Sequence, residues 1–308
     1  MSSKPRGGGF RIAKPDGLRL DAVKHLPIEF WDDFNATVPG WKLGELLDGN
    51  PGSIARTWSD GRFDAMFDFP LAFAIIDVFC RGESPAKLAA VISNDRRYPD
   101  PAQLVTLVDN HDLPRIMSAC GGDLAKVEQA LSFMFAMRGV PSIIWGTEEG
   151  FAGEKEPANR AQMKFEPHPL KDFIAGWMKR RAETRALSDG AALTVEVDSR
   201  HVVIARIAPD GTTVHVRVEN GQVSVVPAPD SSLSLSAQWR TGANKKTRVF
   251  PGPGFITGSG PELGDWDREK ALPLPVTVEL PVYGAFEFKR IVNGEYEPGA
   301  NHVLFVAP

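Results

Sequence analysis

The chain has 308 residues, 43% of them hydrophobic and 24% charged, with a net charge of −4 at neutral pH. That length affords a sizeable core and two or three domains. The weakly negative balance argues against a broad electropositive surface, so nucleic acid and anionic membrane are disfavoured and a neutral ligand fits better. Cys80 and Cys120 are the only cysteines, too few for a disulfide framework, and one optional bridge between them says little about redox compartment. No apolar run has the length of a membrane span, because the best candidate, Met66 to Cys80, is broken by Asp68, Pro70 and Asp77.

In chain order, residues 1–17 carry early positive charge, but Gly7 to Gly9, Arg11 and Lys14 leave no apolar core for a secretion signal. The stretch is expected to be an unstructured leader or a cut end. From Leu18 to about Leu187, short apolar runs alternate with segments of helical period, the pattern of β/α units around a parallel sheet. Five strands are predicted, at Leu18 to Val23, Lys42 to Leu46, Phe63 to Phe67, Leu104 to Val108 and Ser142 to Trp145. A helix is expected over Asp123 to Met137, where Leu124, Val127, Leu131, Met134 and Phe135 share a face before Gly139 and Pro141. Ser84 before Pro85 signals another helix start. After Leu187 the pattern turns antiparallel: Val202 to Ile207 and Thr213 to Val218 flank Pro209-Asp210-Gly211, and Asn220-Gly221 leads into Val223 to Val226. Pro227 to Ser236 reads as a linker. Later strands are expected at Val276 to Leu280, Phe286 to Ile291 and His302 to Val306. The expected fold is α/β, about five β/α units over residues 18–189, followed by small antiparallel β domains at 190–236 and 237–308.

Parallel β/α architectures place their active sites at the carboxyl ends of the strands. Asp21, Glu45 and Asp112 stand at such ends. A single acid there is more often a cap or a solvated loop charge, and His25 and His111 taken singly read as structural. Arg19 lies two residues before Asp21 and shares its face of the strand, where its guanidinium would keep Asp21 ionised. Glu45, between Leu43 and Leu46, has a drier setting that favours a protonated acid. Such a pair suits a retaining glycosidase, in which one carboxylate attacks the sugar and the other protonates the leaving oxygen across about 5 Å.

The joint spelling carries more. Gly17-Leu18-Arg19-Leu20-Asp21-Ala22-Val23-Lys24-His25 resembles the second signature of glycoside hydrolase family 13, the α-amylase family. Gly44-Glu45 resembles the third and Val108-Asp109-Asn110-His111-Asp112 the fourth. Gly139-Val140-Pro141 through Glu148, with Glu156-Pro157-Ala158-Asn159-Arg160, is similar to the family's last barrel strand and its loop. The resemblance implies part of a (β/α)8 TIM barrel. It makes Asp21 the nucleophile, Glu45 the acid/base and Asp112 the residue that grips sugar hydroxyls. Arg19 and His111 would hold the same sugar, with Lys24 and His25 on the leaving-group side. Starch or maltooligosaccharide is the implied substrate, and transglycosylation could use the same residues. A non-catalytic glucan-binding protein lacking the first half of the barrel is the competing reading.

The family's first signature and calcium-binding subdomain would lie before residue 17, and the barrel stretch is shorter than the about 250 residues that eight units take. Self-association through open sheet edges is therefore expected, and an extracellular location is expected if the chain is a fragment of a longer amylase. The chemistry needs no cofactor. Calcium is usual in the family, but only the backbone carbonyl of His25 remains of its ligands, against the six to eight oxygens the ion takes, so little or no binding is expected. Further along, Phe255 to Ser259, Pro261 to Asp267 and Phe286 to Lys289 resemble the starch-binding carbohydrate-binding module family 20. Trp266, Lys289, Tyr296 and Asn301 align with its principal sugar site, an aromatic face beside polar partners for hydroxyls.

Overall fold

The computed structural model describes residues 14–228 and 244–306. Most of the expected leader and much of the expected linker lie outside the described residues. Strands β1 (Gly17–Leu20), β2 (Trp41–Gly44) and β3 (Ala65–Met66) pair in parallel and in chain order. Strands β4 (Val105–Thr106) and β5 (Val140–Pro141) form a second parallel pair, and a parallel bridge between Phe67 and Val105 joins the two. Among the described residues, β1 and β5 have no further strand at their outer edges.

The segments between these strands are helical for local reasons. Helix α1 (Ile28–Thr37) follows β1, and α2 (Pro51–Asp60) follows β2. Helix α3 (Phe69–Ile75) follows β3 and runs on through a π-helical turn, Ile76–Cys80, before α4 (Ala86–Ile92). After β4 come α5 (Ile116–Ala119) and α6 (Leu124–Ala136). The side chains of Asn50, Asp68 and Asp123 accept from Gly52, Leu71 and Lys126 amides at the starts of α2, α3 and α6, satisfying donors that a helix end leaves open. Ser84 Oγ accepts from Ala86 N at 3.3 Å at the start of α4.

All five parallel strands are bounded differently from the sequence reading, β1, β2 and β4 ending before Val23, Leu46 and Val108. The last parallel strand sits at Val140–Pro141 rather than Ser142 to Trp145, because Val140 N and Ser142 N donate to Leu104 and Thr106 and the chain then turns. Strand β3 is shorter than Phe63 to Phe67.

Helix α7 (Pro169–Glu183) and α8 (Arg185–Ser188) lead to an antiparallel sheet of β6 (Ala191–Val197), β7 (His201–Ile207), β8 (Thr213–Glu219) and β9 (Gln222–Pro227), in that order. Its turns fall at Pro209-Asp210-Gly211 and Asn220-Gly221, where Gly211 and Gly221 supply the positive φ that tight hairpins need. This sheet shares one core with the helices. Val202, Ile204, Val214, Val216 and Val218 pack with Val127, Leu131, Met134 and Phe135 of α6. The carbonyls at the end of α6 are taken by two guanidiniums. Arg181 donates to Phe135 O and Met137 O at 2.8 and 2.7 Å, while Arg206 of β7 donates to Ala136 O and, at 2.7 Å, to Gly190 O. Cations at a helix carboxyl end complement its dipole; Arg181 ties α7 to the end of α6, and Arg206 ties the sheet to it. Cys80 and Cys120 are disulfide-bonded, which ties the π turn to the end of α5.

The remaining chain forms a smaller unit. Strand β10 (Lys245–Phe250) pairs with β13 (Val276–Pro281). A second sheet orders β12 (Leu272–Pro273), β11 (Phe255–Gly258), β14 (Ala285–Val292) and β15 (Glu295–Tyr296), and β16 (His302–Phe305) also pairs with β14. Phe250, Ile256, Leu263, Leu280, Phe286 and Val306 form its core. This unit docks on the rest by ion pairs, Arg96 to Glu262 at 2.8 Å and Arg97 to Asp265 at 2.5 Å. No helix among the described residues is long and apolar enough to cross a membrane.

Arg138, just before β5, is fully buried between Asp68 and Asp95. Removing one partner of a buried ion pair leaves an uncompensated charge. Arg138→Met should therefore cost about 3–5 kcal/mol in urea unfolding at neutral pH; a loss below about 1 kcal/mol, the scale of an exposed pair, would contradict this role.

Candidate active site

The site begins with backbone geometry at the ends of β1 and β2. Glu45 N donates to Leu20 O at 2.9 Å and Glu45 O accepts from Val23 N at 2.9 Å, so the residue after β2 is fixed against the turn that ends β1. A side chain at Gly44 would meet Met66 Sδ at 2.6 Å and Phe63 Cδ1 at 2.8 Å, so glycine is what lets β2 lie this close to its neighbours. Ala22 turns the other chain in the left-handed region, φ 44°, and its amide donates to Glu45 Oε2 at 3.4 Å.

Arg19 lies between the two acids. Its Nη1 is 2.8 Å from Asp21 Oδ1 and its Nη2 is 2.5 Å from Glu45 Oε1. The acids differ in setting: the Glu45 side chain is 6% exposed, that of Asp21 71%. A hydrogen bond with Glu45 and then the charge of Arg19 hold Asp21 below the usual aspartate range. Burial, then the hydrogen bond with Asp21, pushes Glu45 up, with Arg19 opposing. The pair is biased toward an ionised Asp21 and a protonated Glu45, two groups with separate acid–base roles.

Asp112 arrives from the loop after β4. Buried Asp109 anchors that loop, accepting from Ile116 N at 2.8 Å and Thr147 Oγ1 at 3.2 Å. Asn110 Oδ1 accepts from the amides of Asp112 and Leu113, both at 2.9 Å, which forms the turn. Arg160 Nη2 then binds Asp112 Oδ1 at 2.8 Å, and His111 Nε2 lies 3.3 Å from Asp112 Oδ2. His111 also acts electrostatically on Asp21, which relates this loop to the β1 acid. Lys24 and His25 are exposed on the short turn after Asp21. Arg160, Asn110 and Asp109 carry geometry that the sequence reading left without roles. Asn159 and Arg160 stood in the quoted motif, but nothing local signals a contact 48 residues away.

The C-terminal residues gather in one region. Lys289 of β14 donates to Gly299 O at 2.6 Å, and Tyr296 pairs across from Ile291 on the adjacent strand. Burial pushes half-buried Glu287 of the same β14 up, and neighbouring Lys87 and then Asn301 oppose it. Trp266 is half-buried with φ 61°, its amide on Gly258 O at the end of β11. Arg268, two residues on, lies over the Tyr296 ring at 4.5 Å and joins the two sides. Asp265, beside Trp266, is the residue that Arg97 holds. As for calcium, the described residues contain no group of three or more His, Cys, Asp or Glu placed to hold a metal ion.

Comparison with known proteins gives the context of this geometry. Residues 13–186 match the family model of the α-amylase catalytic domain. The chain belongs to the α-amylase family, glycoside hydrolase family 13. A β/α-amylase of Paenibacillus polymyxa is 35% identical over 191 residues, 59% of this chain and 16% of that protein. A cyclomaltodextrinase of Geobacillus thermopakistaniensis is 28% identical over 226 residues, 70% of this chain and 38% of that protein. The crystal structure of an α-amylase from Geobacillus thermoleovorans, complexed with acarbose, superposes with a TM-score of 0.62 at 21% identity, covering 96% of this chain and 59% of that one. The chain thus spans less than two thirds of these relatives.

The bridging arginine gives a direct test. Arg19→Gln should raise the pKa of both Asp21 and Glu45, because one cation favours ionisation of each. Carboxyl-carbon NMR titration of the two side chains reads this; an unchanged Asp21 would remove Arg19 from the account.

Proposed function

We propose that this chain is a retaining glycosidase acting on α-1,4-linked glucans, starch or maltooligosaccharides, with Asp21 as nucleophile and Glu45 as acid/base. The observation that carries the reading is the single guanidinium of Arg19 bound to both carboxyls at the ends of adjacent parallel strands. One guanidinium reaches both carboxyls only where they lie near each other, which suits the short separation of retaining enzymes rather than the about 6.5–9.5 Å of inverting ones. In the first step Asp21 attacks the anomeric carbon while Glu45 gives its proton to the departing oxygen. In the second, Glu45 takes a proton from water, which releases the sugar from Asp21. Asp112, steadied by Arg160, accepts hydroxyl hydrogen bonds of the same sugar, and His111 adds a donor. Lys24 and His25 lie on the leaving-group side. The five parallel strands are read as part of a (β/α)8 barrel, with outer edges that favour self-association.

The C-terminal unit is proposed to bind starch through Trp266, Lys289, Tyr296 and Asn301. Clustering of the four on adjoining strands and turns supports this, with Arg268 as a further contact. A second reading of the same residues is a glucan-binding protein without turnover.

Glu45→Gln should lower reducing-sugar release from soluble starch at least about 100-fold, the scale of lost general acid–base catalysis. Trp266→Ala should instead weaken retention on a starch column. The wild-type rate should show an acid limb below the ordinary aspartate range and an alkaline limb above the ordinary glutamate range, since the active form pairs ionised Asp21 with protonated Glu45. Retention without sugar release by the wild type would favour the binding-only reading.

A further inference from the structure

The loop that presents Asp112 is gripped by a second segment, residues 142–168, which connects β5 to α7. Within its own loop, Asn110 takes the amides of Asp112 and Leu113. The carbonyls beside Asp112 are bound from the second segment instead. Asn159 Nδ2 donates to His111 O at 2.9 Å and to Leu113 O at 3.2 Å. Arg160 Nε adds a bond to His111 O at 3.1 Å. One side-chain amide therefore straddles Asp112, joined to the residue before it and the residue after it.

Asn159 is itself held in place. It is buried, and so is Arg115 beside it. Arg115 Nη1 donates to Asn159 O at 3.4 Å and Nη2 donates to Trp145 O, while Nε lies 3.5 Å from Asp109 Oδ2. The guanidinium thus joins two points of the second segment to the carboxylate that anchors the first loop. Between those points the chain is drawn in at Gly153, whose O accepts from Arg115 N at 2.8 Å and whose N donates to Ser118 Oγ at 2.7 Å. A Cβ at Gly153 would meet Ala158 C and Asn159 N at 2.5 Å, so glycine is what lets the segment fold back against Asn159.

Stability is a poor explanation for this asparagine. Its Oδ1 is buried and has no partner among the described residues, and an unpaired acceptor offsets much of what the two bonds of Nδ2 return. Those bonds are directed at the stretch of loop that carries Asp112.

From this geometry we infer that Asn159 is a positioning residue for the reaction proposed above. It fixes the backbone on both sides of Asp112 and so sets where that carboxylate meets the sugar, with Arg115 holding Asn159. The role rests on the glycosidase reading. A carboxylate that grips substrate hydroxyls must stand close to its productive place, because a shift of about 1 Å can cost about 100-fold in rate.

A double-mutant cycle with Asp112, read as nitrophenol release from 4-nitrophenyl α-maltotrioside by the full chain, tests this. Asn159→Ala alone should lower kcat/KM about 10- to 100-fold. In an Asp112→Asn background the same change should cost less than about twofold, since the carboxylate it positions is already lost. Arg115→Lys should show the same dependence on background, because a single ammonium nitrogen cannot span the three partners of the guanidinium; it keeps the test open if a thermal scan shows Asn159→Ala unfolded. Amide hydrogen exchange, which needs no turnover, should quicken over residues 109–116 in Asn159→Ala and stay unchanged over residues 19–26. Equal losses in both backgrounds, or unchanged exchange of residues 109–116, would overturn the positioning role and leave the glycosidase reading standing. No release by the wild type would overturn both.

Discussion

One guanidinium between two carboxyls is the constraint on which the site depends. Two acids on adjacent strand ends would repel if both were ionised, and a nearby cation alone would lower both. Arg19 meets Asp21 and Glu45 together, but only Glu45 is buried. Desolvation therefore outweighs Arg19 at Glu45, while the hydrogen bond with Glu45 and then the same cation hold exposed Asp21 ionised. A symmetric contact in an asymmetric setting thus produces two chemically different acids. The parallel ladder makes this repeatable, because Glu45 is hydrogen-bonded on both sides to the chain that carries Asp21.

The larger architecture protects that arrangement with buried guanidiniums. Arg138 joins the helix start at Asp68 to the segment before β4, and Arg181 and Arg206 close the end of α6. Each joins segments far apart in sequence, and each binds carboxylates or carbonyls that burial would otherwise leave unsatisfied. The antiparallel sheet is consequently part of the main core rather than an appendage, and the C-terminal unit is held through Arg96 and Arg97.

Much of this was legible in the sequence for physical reasons. Apolar runs that end in a charged residue mark the parallel strands, and Asp123 with its helical stripe marks α6 within a residue at each end. The same-face rule places Arg19 beside Asp21. Other features have no local signal. Strand β10 reads Lys-Lys-Thr-Arg-Val-Phe and is largely exposed, so it lacks the alternation that identifies a half-buried strand. Arg160 reaches Asp112, and Arg19 reaches Glu45, only because loops and strands converge in space. The role of Asp109 was hidden by its neighbour Asp112, since spelling alone does not distinguish the carboxylate that anchors a loop from the one the loop presents.

The central claim is that Asp21 attacks the sugar while Glu45 serves as acid and base. Incubation with a fluorinated α-glucosyl fluoride, followed by proteolysis and mass spectrometry, tests it most directly. The account predicts one glucosyl adduct, carried by Asp21 as an ester. A label on Glu45 or Asp112, with Asp21 unmodified, would contradict it.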